Sequence, residues 1–472
     1  MFVNREKELA VLEKRFTSNE PEFLVIYGRR RVGKTELIRH FIKNKPHIYF
    51  LADKRSEKEQ LELFSTLCQE YFTDPFLNLQ PFTSWDSAFA YLSGKITDRF
   101  ILVFDEFPYL VETNPSLPSI LQRHWDTNIS QGKIFLILCG SSMSFMEKEV
   151  LSYKSPLYGR RTGQFLIKPF NFVQIRNFFP EKSLTELVEI SAVFGNIPQY
   201  LKCVYPQLNT FDNIRENILK EDKLLFREVQ FILMEELRTP QNYFAILKAI
   251  SFSKTKVNEI VQFTGLERGM VGKYLDVLIG LGLIERKVPI TEKIPLKSRK
   301  GIYVIRDNFF RFWFRFVYPN LSYLEEARED YVMDIIRRDF TTYLGETFEE
   351  IAREYIFSLS LDDKLPAKFD KIGSFWDSEE EIDIVGINEK EKAILFGECK
   401  WTNKPVDLDV YSALLKKKDR VLWYKDGRKE YFVLCSKSGF TDAVKKLSEK
   451  ESILLIDIGE TKPDFRILKK QR

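Results

Sequence analysis

"EFLVIYGRRRVGKTELIRHFIKN", Glu22 to Asn44, is the stretch on which the fold turns. An apolar run, Phe23 to Tyr27, meets Gly28; after four residues come Gly33, Lys34 and Thr35, and then a helical pattern. GxxxxGK[ST] between a strand and a helix is a phosphate cradle, and each position has a physical reason. Gly28 and Gly33 let backbone N–H groups curl around phosphate oxygens, and the helix N-terminus favours the anion. Lys34 reaches the β- and γ-phosphates, and Thr35 binds magnesium. A chance glycine turn is the bland reading, and the agreement of motif with context weighs against it. ATP and a divalent cation, magnesium or manganese, are therefore the expected cofactors.

Other apolar runs end the same way. "RFILVFDEFPYL" finishes in Asp105 and Glu106, "HIYFLADKR" in Asp53, and "KIFLILCGSS" in Ser141 and Ser142. Several buried strands, each closing on a polar residue, predict an open parallel sheet with its site at the carboxyl edge, an α/β P-loop ATPase core. Asp105 suits the magnesium shell, and Glu106 suits a base that orients the attacking water. Ser141 or Ser142 is placed to sense the γ-phosphate, with helix N-capping an equally good account of either one. Arg160 and Arg161, in "SPLYGRRTGQF", are the candidates to stabilise charge on the transferred phosphoryl group, against the alternative of solvated arginines.

Composition narrows the rest. A chain of 472 residues is too long for one core, so several domains are expected. With 44% hydrophobic and 30% charged residues it reads as soluble, and no apolar run approaches a membrane span. A net charge of +4 means that any binding to DNA rests on local patches. The five cysteines form no CxxC pair and fit reduced thiols in the cytoplasm. His40, His47 and His124 have no metal-ligand spacing, so carboxylates must hold any metal.

The stretches "FVNREKEL", "YGRRRVGKTEL", "LVFDEFPYL" and "FGNIPQYL" together resemble the archaeal-type ATPases of the STAND branch of AAA+ proteins. That resemblance covers about residues 1–240. It implies that Asn4 and Arg5 lie near the adenine and that the segment around Pro198 closes a helical lid over the nucleotide. Asn196 stands where the family often has a second glycine.

Past the lid, "VNEIVQFTGLERGMVGKYLDVLIGLGLIERKVPI" predicts helix, turn at Thr264-Gly265, helix and strand, the order of a winged helix-turn-helix. Its second helix would expose Glu267, Arg268 and Lys273 and turn Met270, Val271, Tyr274, Leu275 and Leu278 inward. DNA binding and a packing role between domains are both compatible with this pattern. In "RDNFFRFWFRFVYPN", Phe309, Trp313 and Phe316 recur at helical spacing, which favours buried core over base stacking.

The last domain is a small mixed α/β unit. "EEIDIVGIN" and "AILFGECKW" form a predicted hairpin that sets Asp383 roughly opposite Gly397 or Glu398, with Lys400 on the face of Glu398. Two carboxylates ~5 Å apart repel by ~3 kcal/mol at an effective dielectric of 20. A bound magnesium or manganese ion would remove that conflict. The arrangement resembles the PD-(D/E)xK nuclease fold. The resemblance implies Asp383 and Glu398 as metal ligands, Glu349 on the preceding helix as an accessory ligand, and Lys400 as the catalytic lysine. The proline before the aspartate is absent, and a surface ion pair between Glu398 and Lys400 is the alternative.

The predicted organisation is an ATPase core over 1–168, a helical lid over 169–238, a winged helix over 239–305, an aromatic helical linker over 306–340 and a restriction-endonuclease-like domain over 341–472. The function read from it is an ATP-hydrolysing switch coupled to DNA binding and metal-dependent DNA cleavage, able to form homo-oligomers. The alternative is an ATP-driven regulator that binds DNA or protein and whose nuclease fold is inactive.

Overall fold

The computed structural model describes residues 3–237, 239–458 and 466–467. Its residues group into two compact units, 1–170 with 197–199, and 171–196 with 200–472.

The first unit is built on a five-stranded sheet of order β2-β3-β4-β1-β5. The strands are β1 (Glu22–Tyr27), β2 (His47–Leu51), β3 (Phe100–Asp105), β4 (Ile134–Gly140) and β5 (Gly163–Leu166). Every pairing is parallel. β1, β3 and β4 are buried along their whole length, which is why they read as unbroken apolar runs. On one side of the sheet an aromatic layer of Phe50, Phe64, Trp85, Phe89 and Phe104 fills the core. Because β1 lies beside β4 and β4 beside β3, their carboxyl ends put Gly28, Ser141 and Asp105 at one edge. β2 stops at Leu51, short of Asp53; Ala52 N–H still reaches Asp105 O at 3.0 Å.

The second unit begins with short helices from Phe172 to Glu236, the expected lid region. Pro198 departs from it, because Ile197–Gln199 group with the first unit. Next come helices Pro240–Ser251, Val257–Thr264 and Arg268–Gly280 and an antiparallel pair, β6 (Ile284–Lys287) and β7 (Ile302–Ile305). Gly265 makes the turn between the last two helices at φ 70°, a conformation that suits glycine. Val271, Leu275 and Leu278 point inward as expected, whereas Met270 is 37% exposed. A step of one residue rotates a helix by about 100°, so Met270 falls off the stripe that Val271 begins. Tyr274 is half-buried, its ring 4.6 Å from Tyr243 and its hydroxyl accepting from Asn242 Nδ2 at 2.8 Å.

Phe309, Trp313 and Phe316 are buried core, and Trp313 Nε1–H donates to Phe226 O at 2.8 Å. The boundary expected at 340/341 does not exist as a break. One 33-residue helix, Glu329–Leu361, runs through it, because its apolar stripe continues from Val332 to Leu359 without interruption.

The chain then forms a six-stranded sheet of order β13-β12-β11-β10-β9-β8. Its strands are β8 (Lys371–Trp376), β9 (Glu381–Asn388), β10 (Ala393–Lys400), β11 (Lys429–Ser436), β12 (Leu454–Asp457) and β13 (Arg466–Ile467). β8, β9 and β10 pair antiparallel, while β10, β11 and β12 pair parallel. Helix Leu408–Lys418 makes the crossover from β10 to β11. The 389–392 turn closes the expected hairpin. β8 is the strand that sequence pattern alone misses, being only half-buried and interrupted by a bulge between Gly373 and Phe375. At that bulge Ile290, from the β6–β7 loop, donates its N–H to Ser374 O at 3.0 Å. Among the described residues no helix is long and apolar enough to cross a membrane.

Candidate active sites

The phosphate loop takes the backbone form its glycines permit. Gly28 has φ 149°, and a Cβ there would lie 2.4 Å from Ile167 O. Gly33 has φ 94° and opens the helix Lys34–Ile42. Lys34 is 5% exposed, and its ammonium donates to Gly28 O at 2.9 Å and Arg29 O at 3.0 Å.

Asp105, fully buried at the end of β3, gathers the surrounding parts. Its Oδ2 accepts from Thr35 Oγ1 at 2.8 Å and from Tyr49 Oη at 2.5 Å, and its Oδ1 accepts from Glu106 N–H at 3.0 Å. Burial, and then the Asp105 charge, push the Tyr49 hydroxyl pKa up, so it stays a donor. Glu106 begins helix Phe107–Thr113 in the left-handed region at φ 53°, a costly conformation that aims its side chain along the sheet edge. There its Oε2 accepts from Ser141 Oγ at 2.8 Å and Ser141 N–H at 3.2 Å. Lys34, Thr35, Asp105, Glu106 and Ser141 are thus one constellation. A threonine hydroxyl touching a buried carboxylate is an all-oxygen set that fits magnesium.

The other first-unit candidates have different surroundings. Arg5 sits at φ 96° with its Nη2 donating to Val32 O at 3.1 Å and Lys168 O at 2.7 Å, and its guanidinium lies 4.9 Å from the Phe170 ring centre. It ties the N-terminal segment to the phosphate loop through backbone carbonyls. Asn4 beside it is buried. Arg160 forms a two-pronged pair with Asp126, at 3.3 and 3.1 Å, and Arg161 donates to Leu151 O at 3.1 Å.

Comparison with known proteins bears on this site. A family model described as an ATPase domain predominantly from Archaea matches residues 2–204, and one for archaeal and bacterial proteins of unknown function matches residues 313–419. An uncharacterised protein of Methanocaldococcus jannaschii is 40% identical over 463 residues, 98% of this chain and 100% of the relative. The chain belongs to the archaeal-type P-loop ATPases. An uncharacterised ATP-binding protein of Pyrococcus abyssi is 27% identical over 245 residues, 43% of this ATPase and 72% of that protein. A Walker-type ATPase of Pyrococcus abyssi shares the fold, with a TM-score of 0.50 at 22% identity over 66% of this ATPase and 96% of that chain.

The second constellation of this ATPase lies on the β9–β10 hairpin. The register runs past the Gly397–Ile384 pair, setting Asp383 beside Glu398. Asp383 Oδ2 accepts Cys399 N–H at 2.8 Å. Arg353, on helix Glu329–Leu361, donates to Asp383 O at 2.7 Å and lies 3.5 Å from Glu349 Oε2. Glu398 is only 2% exposed, and both of its oxygens carry an ammonium group: Lys400 Nζ on Oε2 at 2.9 Å and Lys417 Nζ on Oε1 at 2.7 Å. Burial is the largest single influence on Lys400 and lowers its pKa, but the charge and hydrogen bond of Glu398, with the Asp383 charge, together raise it above the ordinary value, so the ammonium form is favoured.

Lys417 corrects the electrostatic argument made from sequence. The apposition of Asp383 and Glu398 is compensated by protein cations, so it does not of itself demand a metal. Lys417 lies in the run "LLKKK", which reads as a solvated helix end; only the packing of that helix beside β10 reveals its partner. Among the described residues no three histidine, cysteine or acidic side chains are placed together to hold a metal ion. Glu349, Asp383 and Glu398 interact electrostatically at longer range without closing into one ligand group.

Two predictions follow from these geometries. Lys34→Ala is expected to lose ATP binding, and Glu106→Gln to keep binding while hydrolysing ~100-fold more slowly, as for a lost general base; nucleotide-binding and phosphate-release assays check both. The second concerns pH. Burial and then Asp383 push the Glu349 carboxyl up to about 8, and burial and then Glu398 push Asp383 up to about 6. The unfolded groups titrate near 4, so above that pH the folded chain holds protons that the unfolded chain releases. Their stabilising contribution is complete below about pH 4 and is lost as pH rises through about 6 and about 8. Urea unfolding of the full chain is expected to show this decline, and Glu349→Gln to flatten its upper part. An unchanged pH slope in the variant would contradict the assignment.

Proposed function

We propose that this ATPase is a cytosolic ATP-driven switch that acts on DNA, with a metal-dependent endonuclease site in its C-terminal sheet. In the motor, Lys34 binds the β- and γ-phosphates, Thr35 and Asp105 hold magnesium, Glu106 orients the attacking water and Ser141 holds Glu106 in line. Asn4, Arg5 and Pro198 flank the nucleotide, and Arg160 and Arg161 supply charge to the phosphoryl group, in cis or from another copy in a homo-oligomer. Bound magnesium would neutralise phosphate charge.

The observation that carries the nuclease reading is the C-terminal core itself. A helix, three antiparallel strands, a crossover helix and a parallel strand set Asp383, Glu398 and Lys400 on one hairpin, with Glu349 on the helix before it. This supports the PD-(D/E)xK assignment. Asp383 and Glu398, with Glu349 as an accessory ligand once the three carboxylates draw together, would hold magnesium or manganese, which would supply an activated water. Lys400 would stabilise charge on the phosphate. For Glu398 to act as a ligand, an ammonium group must leave it, and an incoming phosphodiester offers Lys400 and Lys417 the same charge that Glu398 does. The occupied oxygens of Glu398 equally favour the second reading, a DNA-binding regulator with an inactive nuclease fold.

DNA binding is assigned to helix Arg268–Gly280 and the hairpin after it. Arg268 and Lys273 are exposed on that helix, and the β6–β7 loop carries Lys293, Lys297, Arg299 and Lys300.

Plasmid DNA with manganese separates the two readings. Nicking by the wild type that falls at least ~100-fold in Asp383→Asn supports the nuclease. Intact plasmid with wild type, with and without ATP, leaves only the regulator. For binding, Arg268→Glu combined with Lys273→Glu is expected to weaken DNA affinity and reduce its salt dependence while ATP turnover persists. Unchanged affinity in a gel-shift titration would move these helices to a packing role.

A further inference from the structure

We propose that Tyr49 is a positioning residue for the divalent cation of the motor, acting through Asp105. The proposal rests on reading Thr35 and Asp105 as the residues that hold that cation. Tyr49 belongs to no motif; it lies within "HIYFL", which sequence pattern treats as an ordinary buried strand.

Its placement argues for more than packing. The donors that reach the Asp105 carboxylate include two from the nucleotide machinery, Thr35 Oγ1 and Glu106 N–H, and the thiol of Cys139 on β4. The Tyr49 hydroxyl joins them, at 2.5 Å from the same Oδ2 that receives Thr35. A carboxylate held by donors on both oxygens has its plane fixed, so its direction toward a cation at Thr35 is fixed as well. Tyr49 is itself clamped. The Arg39 guanidinium, on the helix that Lys34 and Thr35 begin, lies 5.4 Å from the Tyr49 ring centre. Its backbone stands in register with Val103 of β3, two residues before Asp105. Tyr49 thus links the phosphate-loop helix to the strand that carries Asp105. Phenylalanine would keep the ring contacts and lose only the hydroxyl. Groups that orient a metal ligand from behind typically change metal affinity or activity by ~10–100-fold when removed.

The test uses full-length wild type and Tyr49→Phe, with melting temperature as the readout. Each is melted alone, with ADP in EDTA, and with ADP across a magnesium titration. The expected result is that Tyr49→Phe alone melts somewhat below wild type, having lost a donor to a buried carboxylate, and gains the same increment as wild type from ADP in EDTA, while the magnesium concentration giving half of the added stabilisation rises ~10-fold. In turnover assays the magnesium requirement should rise in parallel, with kcat at saturating magnesium changed far less. A midpoint within twofold of wild type overturns the proposal. So does a variant that loses the ADP–EDTA stabilisation equally, since that is loss of general structure at the site. A wild type whose ADP-bound melting ignores magnesium overturns the cation reading of Thr35 and Asp105 itself, and this proposal with it.

Discussion

The carboxylate of Asp105 has no exposure to water, and the nucleotide site is organised around meeting that constraint. An ionised carboxylate moved from water into protein costs several kcal/mol unless donors replace its hydration. Here the replacements come from the phosphate-loop helix through Thr35, the neighbouring strands through Tyr49 and Cys139, and the next backbone N–H in the chain. Each donor lowers the cost of burying the charge, and together they tie these elements into one arrangement. The strained backbone at Glu106 belongs to the same arrangement, since it turns the chain from strand to helix while sending the Glu106 side chain to Ser141.

Glu398 meets the same constraint by a different route. Its buried oxygens face two lysines, one from its own strand and one from the crossover helix. Hydrogen-bond donors from neutral groups leave Asp105 its negative charge and its attraction for a cation. Two ammonium groups balance the charges of Glu398 and the adjacent Asp383, so little uncompensated negative charge is left there to draw a cation. The chemistry of the C-terminal site therefore depends on how readily Lys400 and Lys417 trade Glu398 for another anion.

Within the second unit, the elements read from sequence as separate domains share parts. Helix Glu329–Leu361 begins beside the aromatic core and ends beneath the C-terminal sheet. Lys287, at the end of β6, pairs with Glu350 on that helix at 2.7 Å, one residue from Glu349. The β6–β7 loop adds to β8 through Ile290, and Trp376 Nε1–H donates to Lys300 O at 3.0 Å. The hairpin and the C-terminal sheet are thereby joined by an ion pair and backbone hydrogen bonds.

The sequence by itself determined the parallel sheet, the phosphate loop and the residues at the sheet's carboxyl edge. Those features are local: glycine spacing fixes a backbone shape, and buried strands must be apolar until they reach the polar edge. The β9–β10 hairpin was legible for the same reason, since strand alternation and a short turn bring Asp383 opposite Gly397 or Glu398; only the strand pairing fixes the register that sets it beside Glu398. β8 was not legible, because a half-buried strand with a bulge loses the alternation that marks strands. The outward turn of Met270 and the unbroken course of Glu329–Leu361 needed the packing around each helix. Tyr49 on Asp105 and Lys417 on Glu398 were decided only by the tertiary structure. Each joins residues from different elements, 56 and 19 positions apart, and a buried charge is satisfied by whichever donor the packing brings within reach, a distance that no local pattern encodes.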